Sequence, residues 1–378
     1  MADVIPFTID VPQDQLDDLQ RRLASARWPE RETVQDFSQG IQLDSLKRLV
    51  EYWRTRYDWR RCEAMLNAFG QYRTEIDGLN IHFLHVRSMH EGALPLLLTH
   101  GWPGSVLEFS KIIGPLTDPT AHGGNDSDAF HVIVPSLPGF GFSDKPQSTG
   151  WTLTRTAMAW SELMKRLAYD RYVAQGGDLG AGVTTHMGRL SPDGLAAIHL
   201  NFPLLFPPPI EGEPSVAEKA ALGQLLHFRD KASGYAQIQK TRPQTLGYGL
   251  TDSPIGLAAW IYEKCVELAG DGVSGADVLS FDEVLDDVSL YWLTATAASA
   301  ARLYWESWDK DWGRMKVDIP VGCSIFPGEI YRAPRVWAQR TFSNLFYWNE
   351  TDRGGHFAAY EQPELFVGEM RACFRSMR

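Results

Sequence analysis

Cysteine is scarce in this chain of 378 residues, which contains only Cys62, Cys265, Cys323 and Cys373. No two of them form a CxxC pair, so the spacing favours neither a disulfide framework nor a zinc site. Few, scattered cysteines are typical of proteins in reducing compartments. We therefore expect a cytoplasmic protein that binds no metal through its thiols.

Long apolar runs are also missing, since no segment approaches the roughly 20 apolar residues that cross a bilayer. The first ten residues contain Asp3 and Asp10, which argues against a signal peptide. The formal charge of −11 argues against nucleic acid or an anionic membrane as the main partner. With 44% hydrophobic residues the chain can still bury a large core, so we expect a soluble globular protein without a membrane anchor.

The pattern along the chain predicts four parts. Residues 1–70 carry leucines at helical spacing and are expected to form a helical extension packed on the main domain. Residues 71–203 alternate short apolar strands with helices, which predicts the first half of a mostly parallel sheet. Residues 204–307 are rich in helical patterns and are expected to form an inserted lid. Strand patterns resume in residues 308–378, the predicted second half of the sheet.

The sharpest local motif is Gln175-Gly176-Gly177-Asp178-Leu179-Gly180, which ends a predicted strand and begins a predicted helix. This is the setting of the G-x-S-x-G nucleophile elbow, with aspartate in the place of serine, and no G-x-S-x-G occurs in the chain. By itself the motif could equally be a tight turn. A loop after an earlier apolar strand, His100-Gly101-Trp102-Pro103-Gly104, supports the elbow, because in this architecture it contributes to an oxyanion hole. We assign the two hole N–H groups to Trp102 and Leu179.

A base and an orienting acid complete the predicted triad. His356 follows the last predicted strand in a glycine-rich loop, and the order nucleophile, acid, histidine is the one this architecture uses. Glu329 lies just past the penultimate strand and is the preferred acid. The rival acids are Asp318, Asp352 and, more weakly, Glu350.

An aspartate nucleophile selects the chemistry. A carboxylate is ionised at neutral pH and can displace a leaving group at an sp³ carbon, which gives an ester that histidine-activated water then hydrolyses. A halide or an epoxide oxygen fits this scheme, and neither needs a cofactor. Because an epoxide oxygen leaves as a basic alkoxide, it requires an acid such as a tyrosine hydroxyl. Spacing alone does not choose among the lid tyrosines Tyr235, Tyr248, Tyr262, Tyr291 and Tyr304.

The ordered set of motifs resembles the microsomal epoxide hydrolase family, including the juvenile-hormone epoxide hydrolases. The resemblance covers nearly the whole chain and is carried by the helical region Ile5–Trp28, His100-Gly101-Trp102-Pro103-Gly104, Gly176-Gly177-Asp178-Leu179-Gly180, residues 251–259, Phe326-Pro327-Gly328-Glu329 and residues 353–359. It implies an α/β-hydrolase fold with an inserted helical cap and an N-terminal helical extension. It also implies Asp178 as nucleophile, Glu329 as charge-relay acid, His356 as base, and Tyr235 and Tyr304 as the epoxide-polarising acids.

Two departures from the family are expected to be tolerated. Membrane-bound members have an N-terminal anchor that this chain lacks, so it resembles a soluble relative. Many members have tryptophan after the nucleophile, where this chain has Leu179; the backbone N–H is kept, but the pocket wall differs.

Leu179 also counts against the first alternative function, a haloalkane dehalogenase. The second is a non-catalytic binder of hydrophobic ligands. We predict hydrolysis of a small hydrophobic epoxide to a vicinal diol, with a homo-oligomer left open.

Overall fold

The computed structural model describes residues 3–207, 209, 212–270, 278–307 and 316–378. Within these ranges nine strands form a single sheet, in the order β1-β2-β3-β5-β4-β6-β7-β8-β9. The strands are β1 (Ile5–Pro6), β2 (Gln71–Ile76), β3 (Leu79–Val86), β4 (Leu94–Thr99), β5 (Phe130–Pro135), β6 (Tyr172–Gly176), β7 (Leu195–Leu200), β8 (Val321–Ile325) and β9 (Leu345–Glu350).

The sheet is mostly parallel, as predicted. Pairing is antiparallel from β1 through β5 by way of β2 and β3, and parallel between every neighbouring pair from β5 to β9. The central strands are short, almost fully buried apolar runs, because helices cover them and no alternation with polar residues is needed. The carboxyl ends of β4, β6, β8 and β9 therefore meet at one edge of the sheet.

Helices of the core and of the N-terminal region have the bounds α1 (Gln13–Ala24), α2 (Leu43–Thr55), α3 (Trp59–Ala68), α4 (Ser110–Thr117), α5 (Leu153–Arg166), α6 (Asp178–Leu190), α13 (Arg335–Thr341), α14 (Ala358–Glu361) and α15 (Pro363–Phe374). Helices α5 and α6 pack together, while α4 packs with α14 and α15. Thr152 begins α5 by accepting a hydrogen bond from the Arg155 N–H, which satisfies a free donor of the first turn.

Between β7 and β8 the described residues form helices and no strand. These are α7 (Val216–His227), a short π-helical turn (Phe228–Ala232), α8 (Gly234–Thr241), α9 (Pro243–Asp252), α10 (Pro254–Leu268), α11 (Phe281–Leu293) and α12 (Ala297–Ser307). Capping boxes start α7 at Ser215 and α11 at Ser280. We call this set of helices the cap. Its predicted end at 307 borders residues 308–315, which lie outside the described residues, so the domain limits stay a prediction.

The N-terminal helices differ from expectation in the surface that they cover. We predicted that they pack on the main domain, but α1, α2 and α3 contact the cap helices α10 and α11. Trp53 is fully buried and its Nε1–H donates to Ser289 Oγ at 3.0 Å. Arg61 pairs with the buried Asp286 at 2.5 Å, and the Tyr57 hydroxyl donates to the same carboxylate at 2.8 Å. Leucine spacing identifies the apolar face of a helix but not the surface that the face contacts.

Within the described ranges, no helix combines the length and the apolar character that a membrane crossing requires. All four cysteines are buried as free thiols, distributed over α3, α10, β8 and α15.

Candidate active site

Asp178 lies at the turn between β6 and α6. Its φ of 49° is in the left-handed region, where a side chain other than glycine is strained, and such strain is common at functional turns. The turn is tight, because a Cβ atom at Gly180 would come within 2.0 Å of the Thr99 carbonyl oxygen. At Gly101 a Cβ would come within 2.3 Å of Asp178 Oδ1. Glycine at both positions is what allows the loop after β4 to reach the Asp178 carboxyl.

The two predicted oxyanion-hole residues both contact this carboxyl through their backbones. The Trp102 N–H donates to Asp178 Oδ1 at 2.8 Å. Burial raises the pKa of the Asp178 carboxyl, whereas nearby His356 and the N–H groups of Trp102 and Leu179 act in the opposite direction. Oδ1 thus accepts the Trp102 N–H, and Oδ2 faces the imidazole.

His356 and Glu329 form a short hydrogen bond close to Asp178. His356 Nδ1 lies 2.6 Å from Glu329 Oε1, and His356 Nε2 lies 3.6 Å from Asp178 Oδ2. Both side chains are buried, at 7% and 6% exposure. Burial alone would lower the pKa of His356, but the charge and hydrogen bond of Glu329, followed by the charge of Asp178, raise it to about 10.

The rival acids lie elsewhere. Asp318 accepts a hydrogen bond from Ser343 on the surface, and the side chain of Asp352 is 81% exposed. Glu350 accepts from the Trp348 Nε1–H at an exposed position. Of the four candidate acids, Glu329 is the one for which the described residues show a hydrogen bond to His356.

The two tyrosines singled out by the family resemblance meet at the cavity that Asp178 lines. Tyr235 lies in the first turn of α8 and Tyr304 lies in α12, and both are buried. The Tyr235 ring stacks on Trp102 at 4.9 Å between centroids, and the two tyrosine rings meet edge to face at 6.2 Å. Burial, together with the negative charge of Asp178, raises the pKa of both hydroxyls, so they are neutral hydrogen-bond donors at neutral pH.

The other three lid tyrosines have different surroundings. Tyr248 is 69% exposed, and the Tyr291 hydroxyl donates to the Gly104 carbonyl oxygen at 3.0 Å. The Tyr262 ring packs edge to face on Phe281. Tertiary structure therefore separates the five tyrosines that spacing left equivalent.

A cavity of about 520 Å³ connects Asp178 to the two tyrosines. Asp178, Tyr235 and Tyr304 all line it, and the remaining wall is mainly apolar, formed by residues such as Leu222, Leu225, Phe228 and Tyr331. A pocket with a few convergent polar groups in an apolar wall is the usual form of a small-molecule site. Among the described residues, no group of three or more His, Cys, Asp or Glu side chains could hold a metal ion.

Glu361 is a part of the site that sequence reasoning missed. Its carboxylate accepts backbone N–H groups from Gly355 and Phe357, on either side of His356, and from Gly270 after α10, each at 2.8 Å. The His356 N–H in turn donates to the Leu268 carbonyl oxygen at 3.0 Å. Glu361 therefore joins the histidine loop to the cap. Its place five residues after His356 is visible in the sequence, but these three contacts are not.

Comparison with known proteins decides the family. Residues 4–109 match the family model described as epoxide hydrolase N terminus, and residues 95–237 match the alpha/beta hydrolase fold. Over 99% of the chain it is 61% identical to a protein of Stigmatella aurantiaca (strain DW4/3-1) that is provisionally named an epoxide hydrolase, covering 86% of that relative. It is 34% identical to epoxide hydrolase 1 of Sus scrofa, with 97% of this chain and 87% of the relative covered. The chain belongs to the epoxide hydrolase family.

The fold agrees with that assignment. Juvenile hormone epoxide hydrolase from the silkworm Bombyx mori superposes with a TM-score of 0.91 at 29% identity, covering 100% of this chain and 95% of the other. The predictions of an α/β-hydrolase fold, of membership in this family and of an epoxide-hydrolysing enzyme are therefore confirmed.

Proposed function

We propose that this epoxide hydrolase works through a covalent ester on Asp178. The observation that carries the proposal is the divided environment of one carboxyl group. Oδ1 accepts the Trp102 N–H, while Oδ2 is the oxygen nearer to His356, and Asp178 lines the 520 Å³ cavity. Oδ2 attacks an epoxide carbon there, the carbon–oxygen bond of the ring breaks, and the resulting ester keeps Oδ1 as its carbonyl oxygen in the oxyanion hole.

Ring opening needs a proton, which we assign to the tyrosine pair. The departing oxygen accepts a proton from Tyr235 or Tyr304, whose neutral hydroxyls lie in the same cavity as Asp178. The stacking of Tyr235 on Trp102 fixes the donor above the loop that holds Oδ1. A bound epoxide is thus activated from the cap while it is attacked from the elbow.

Formation of the ester on Asp178 then lowers the pKa of His356. The charge of Asp178 is one of the causes that raise the pKa of His356, and esterification removes that charge. The pKa of His356 accordingly falls when a base is needed, while Glu329 holds the Nδ1 proton and leaves Nε2 free to accept one. Water deprotonated by His356 attacks Cγ of Asp178. The ester bond breaks, and the diol oxygen takes the proton from His356. The carboxyl proton left on Asp178 returns to the tyrosinate through solvent.

The wall of the cavity points to a small hydrophobic epoxide as substrate, since its lining is mainly leucine, phenylalanine and other apolar side chains. Asp178, Tyr235 and Tyr304 line the same volume, so the apolar part of a substrate is oriented by the rest of the lining. The proposal does not require a metal or a cofactor at any step.

The deciding experiment is a single turnover in ¹⁸O-labelled water with enzyme in excess over styrene oxide. The covalent route gives a first-turnover diol without ¹⁸O, because its new oxygen comes from Asp178 Oδ2, and the label appears in the protein. A diol that carries ¹⁸O in the first turnover means direct attack by water, and the covalent route is then wrong.

A further inference from the structure

A second, much smaller cavity lies next to the nucleophile. Its volume is about 10 Å³, close to the smallest volume that holds one water molecule. Its lining contains the polar residues Glu108, Asp178, Asn201 and His356, together with apolar residues such as Phe109 and Phe366. Two of the four polar residues, Glu108 and Asn201, have no part in the mechanism described so far.

Neighbouring glycines leave the space that the side chains of Glu108 and Asn201 occupy. Glu108 lies in the 3₁₀ turn Val106–Phe109, and a Cβ atom at Gly104 would come within 1.3 Å of its Oε1. Asn201 follows β7, and a Cβ at Gly177 would come within 2.7 Å of its Oδ1. Any side chain larger than hydrogen at either glycine would displace a polar group that lines the cavity.

Asn201 is oriented by a buried hydrogen bond. Its Oδ1 accepts from Gln175 Nε2 at 2.6 Å, which leaves the Nδ2 group as its donor for other partners. The cavity thus offers an amide donor, the imidazole of His356 and the carboxyl of Glu108. A single water needs two to four polar partners, and these groups supply three.

The protonation of Glu108 suits this place. Burial, followed by the negative charges of Asp287 and Asp178, raises its pKa well above the usual range of a carboxyl, although His356 opposes the shift. A protonated carboxyl accepts a hydrogen bond from water without adding negative charge beside Asp178. It also leaves His356 as the base.

We propose that the small cavity holds the water that hydrolyses the ester, and that Glu108 and Asn201 orient it toward Cγ of Asp178. The inference rests on the covalent mechanism proposed above. One O–H bond of this water breaks and its proton goes to His356 Nε2, while its oxygen forms the new bond to Cγ. Glu108 and Asn201 keep their own protons throughout.

The test separates ester formation from ester hydrolysis in single turnovers of styrene oxide, with the ester followed by intact-protein mass. In Glu108→Ala we expect hydrolysis to slow by about 10²-fold and ester formation to change by less than about threefold, so that the ester accumulates. Glu108→Gln keeps a neutral group that can accept and donate, and should recover hydrolysis to within about tenfold of wild type. Asn201→Ala should show the same split, with a loss of about tenfold.

Two outcomes would overturn the proposed role of Glu108 in orienting the water. If Glu108 only supports the loop of Trp102, Glu108→Ala slows formation and hydrolysis alike and Gln gives no selective recovery, which overturns the inference. Unchanged hydrolysis in Glu108→Ala overturns it as well. Should Glu108→Ala not fold, the Gln and Asn201→Ala variants decide by the same ratio. Glu369→Gln is the control for a buried carboxylate outside the site, bonded to Tyr347 and Asn349, and should leave the ratio unchanged.

A His356→Gln variant distinguishes this inference from the mechanism beneath it. Ester that accumulates in His356→Gln but not in Glu108→Ala leaves the covalent mechanism intact and overturns the water site alone. If no ester forms in either variant while diol is still produced, the covalent mechanism itself is wrong.

Discussion

The two walls of the large cavity have different origins and different chemistry. The sheet wall consists of loops at the ends of parallel strands and carries Asp178. His356 Nε2 lies 3.6 Å from Asp178 Oδ2, and His356 Nδ1 lies 2.6 Å from Glu329 Oε1. The cap wall consists of helices and carries two tyrosines among apolar side chains. In the proposed mechanism the sheet wall provides the attacking carboxylate and stabilises the charge that develops. The cap wall donates a proton, and its apolar side chains select the shape of the substrate.

The difference teaches how the two walls are held. The sheet wall depends on glycines that allow backbones to approach within hydrogen-bonding distance, as Gly101 does beside Asp178. The cap wall depends on side-chain packing, as in the stack of Tyr235 on Trp102. A substitution on the first wall should therefore affect chemistry steeply, whereas one on the second should affect either proton donation or selectivity.

The largest effect is expected from removing the nucleophile. Asp178→Asn should lower kcat/KM for styrene oxide by at least about 10⁴-fold and abolish the protein ester, because the neutral amide is a poor nucleophile. Asp352→Asn makes the same change at an exposed carboxylate and is the control. Its kcat/KM should stay within about twofold of the wild-type value. Epoxide turnover by freshly prepared Asp178→Asn at wild-type rate would show that the sheet wall does not carry the nucleophile.

Removing both acids from the cap wall is expected to have the next largest effect. The double variant Tyr235→Phe and Tyr304→Phe should slow ester formation by about 10³-fold while its melting temperature stays near that of wild type. Tyr248→Phe changes an exposed tyrosine of the same cap and serves as the control. Near-normal ester formation in the double variant would place the acid elsewhere.

Glu329→Gln tests the link between the triad and pH. We expect ester hydrolysis to slow by about 10²-fold, because Gln leaves the imidazole without its charged partner. In the free enzyme Glu329, together with Asp178, raises the pKa of His356 from 6.5 to about 10 against the opposing effect of burial. The contribution of this pairing to folding stability is therefore fully present below about pH 6.5 and is lost as the pH rises through about 10.

Melting temperatures measured across that range check the sign of the pH effect. Glu329→Gln should be less stable than wild type by the largest margin near pH 6, and the margin should shrink toward pH 10. Glu350→Gln, at an exposed rival acid, should show no such trend. A margin that grows with pH would contradict the proposed pairing of Glu329 with protonated His356.

The smallest effect is expected on the apolar part of the cap wall. Leu222→Phe adds bulk inside the cavity and should shift the kcat/KM ratio between a small and a bulky epoxide by about tenfold, in favour of the small one. Val216→Phe on the same helix is 86% exposed and should leave the ratio unchanged. A general loss of turnover for both epoxides would instead assign Leu222 to the chemistry.

Much of the sheet wall could be predicted because its residues belong to short, contiguous sequence motifs. The elbow at Asp178 and the loop at Trp102 each follow a short apolar strand, and parallel strands bring their carboxyl ends to one edge. Apolar runs in the sequence predict seven of the nine strands of the described residues, with ends shifted by up to two residues: Asn80–Val86, Leu94–Thr99, His131–Pro135, Tyr172–Gln175, Ala197–Phe202, Ile319–Phe326 and Leu345–Trp348. The edge strand Ile5–Pro6 is too short to recognise, and Gln71–Ile76 is too polar.

Sequence alone determined the glycine-rich motif around Asp178 and an α/β fold interrupted by helices, since each depends on residues close together in the chain, and it predicted the roles of Asp178, Glu329 and His356. Tertiary structure decided which of five tyrosines face Asp178, that the N-terminal helices pack on the cap, and that Glu361 and Glu108 lie beside the triad. These are contacts between residues far apart in sequence, and periodicity defines only the apolar face of a helix, not its partner.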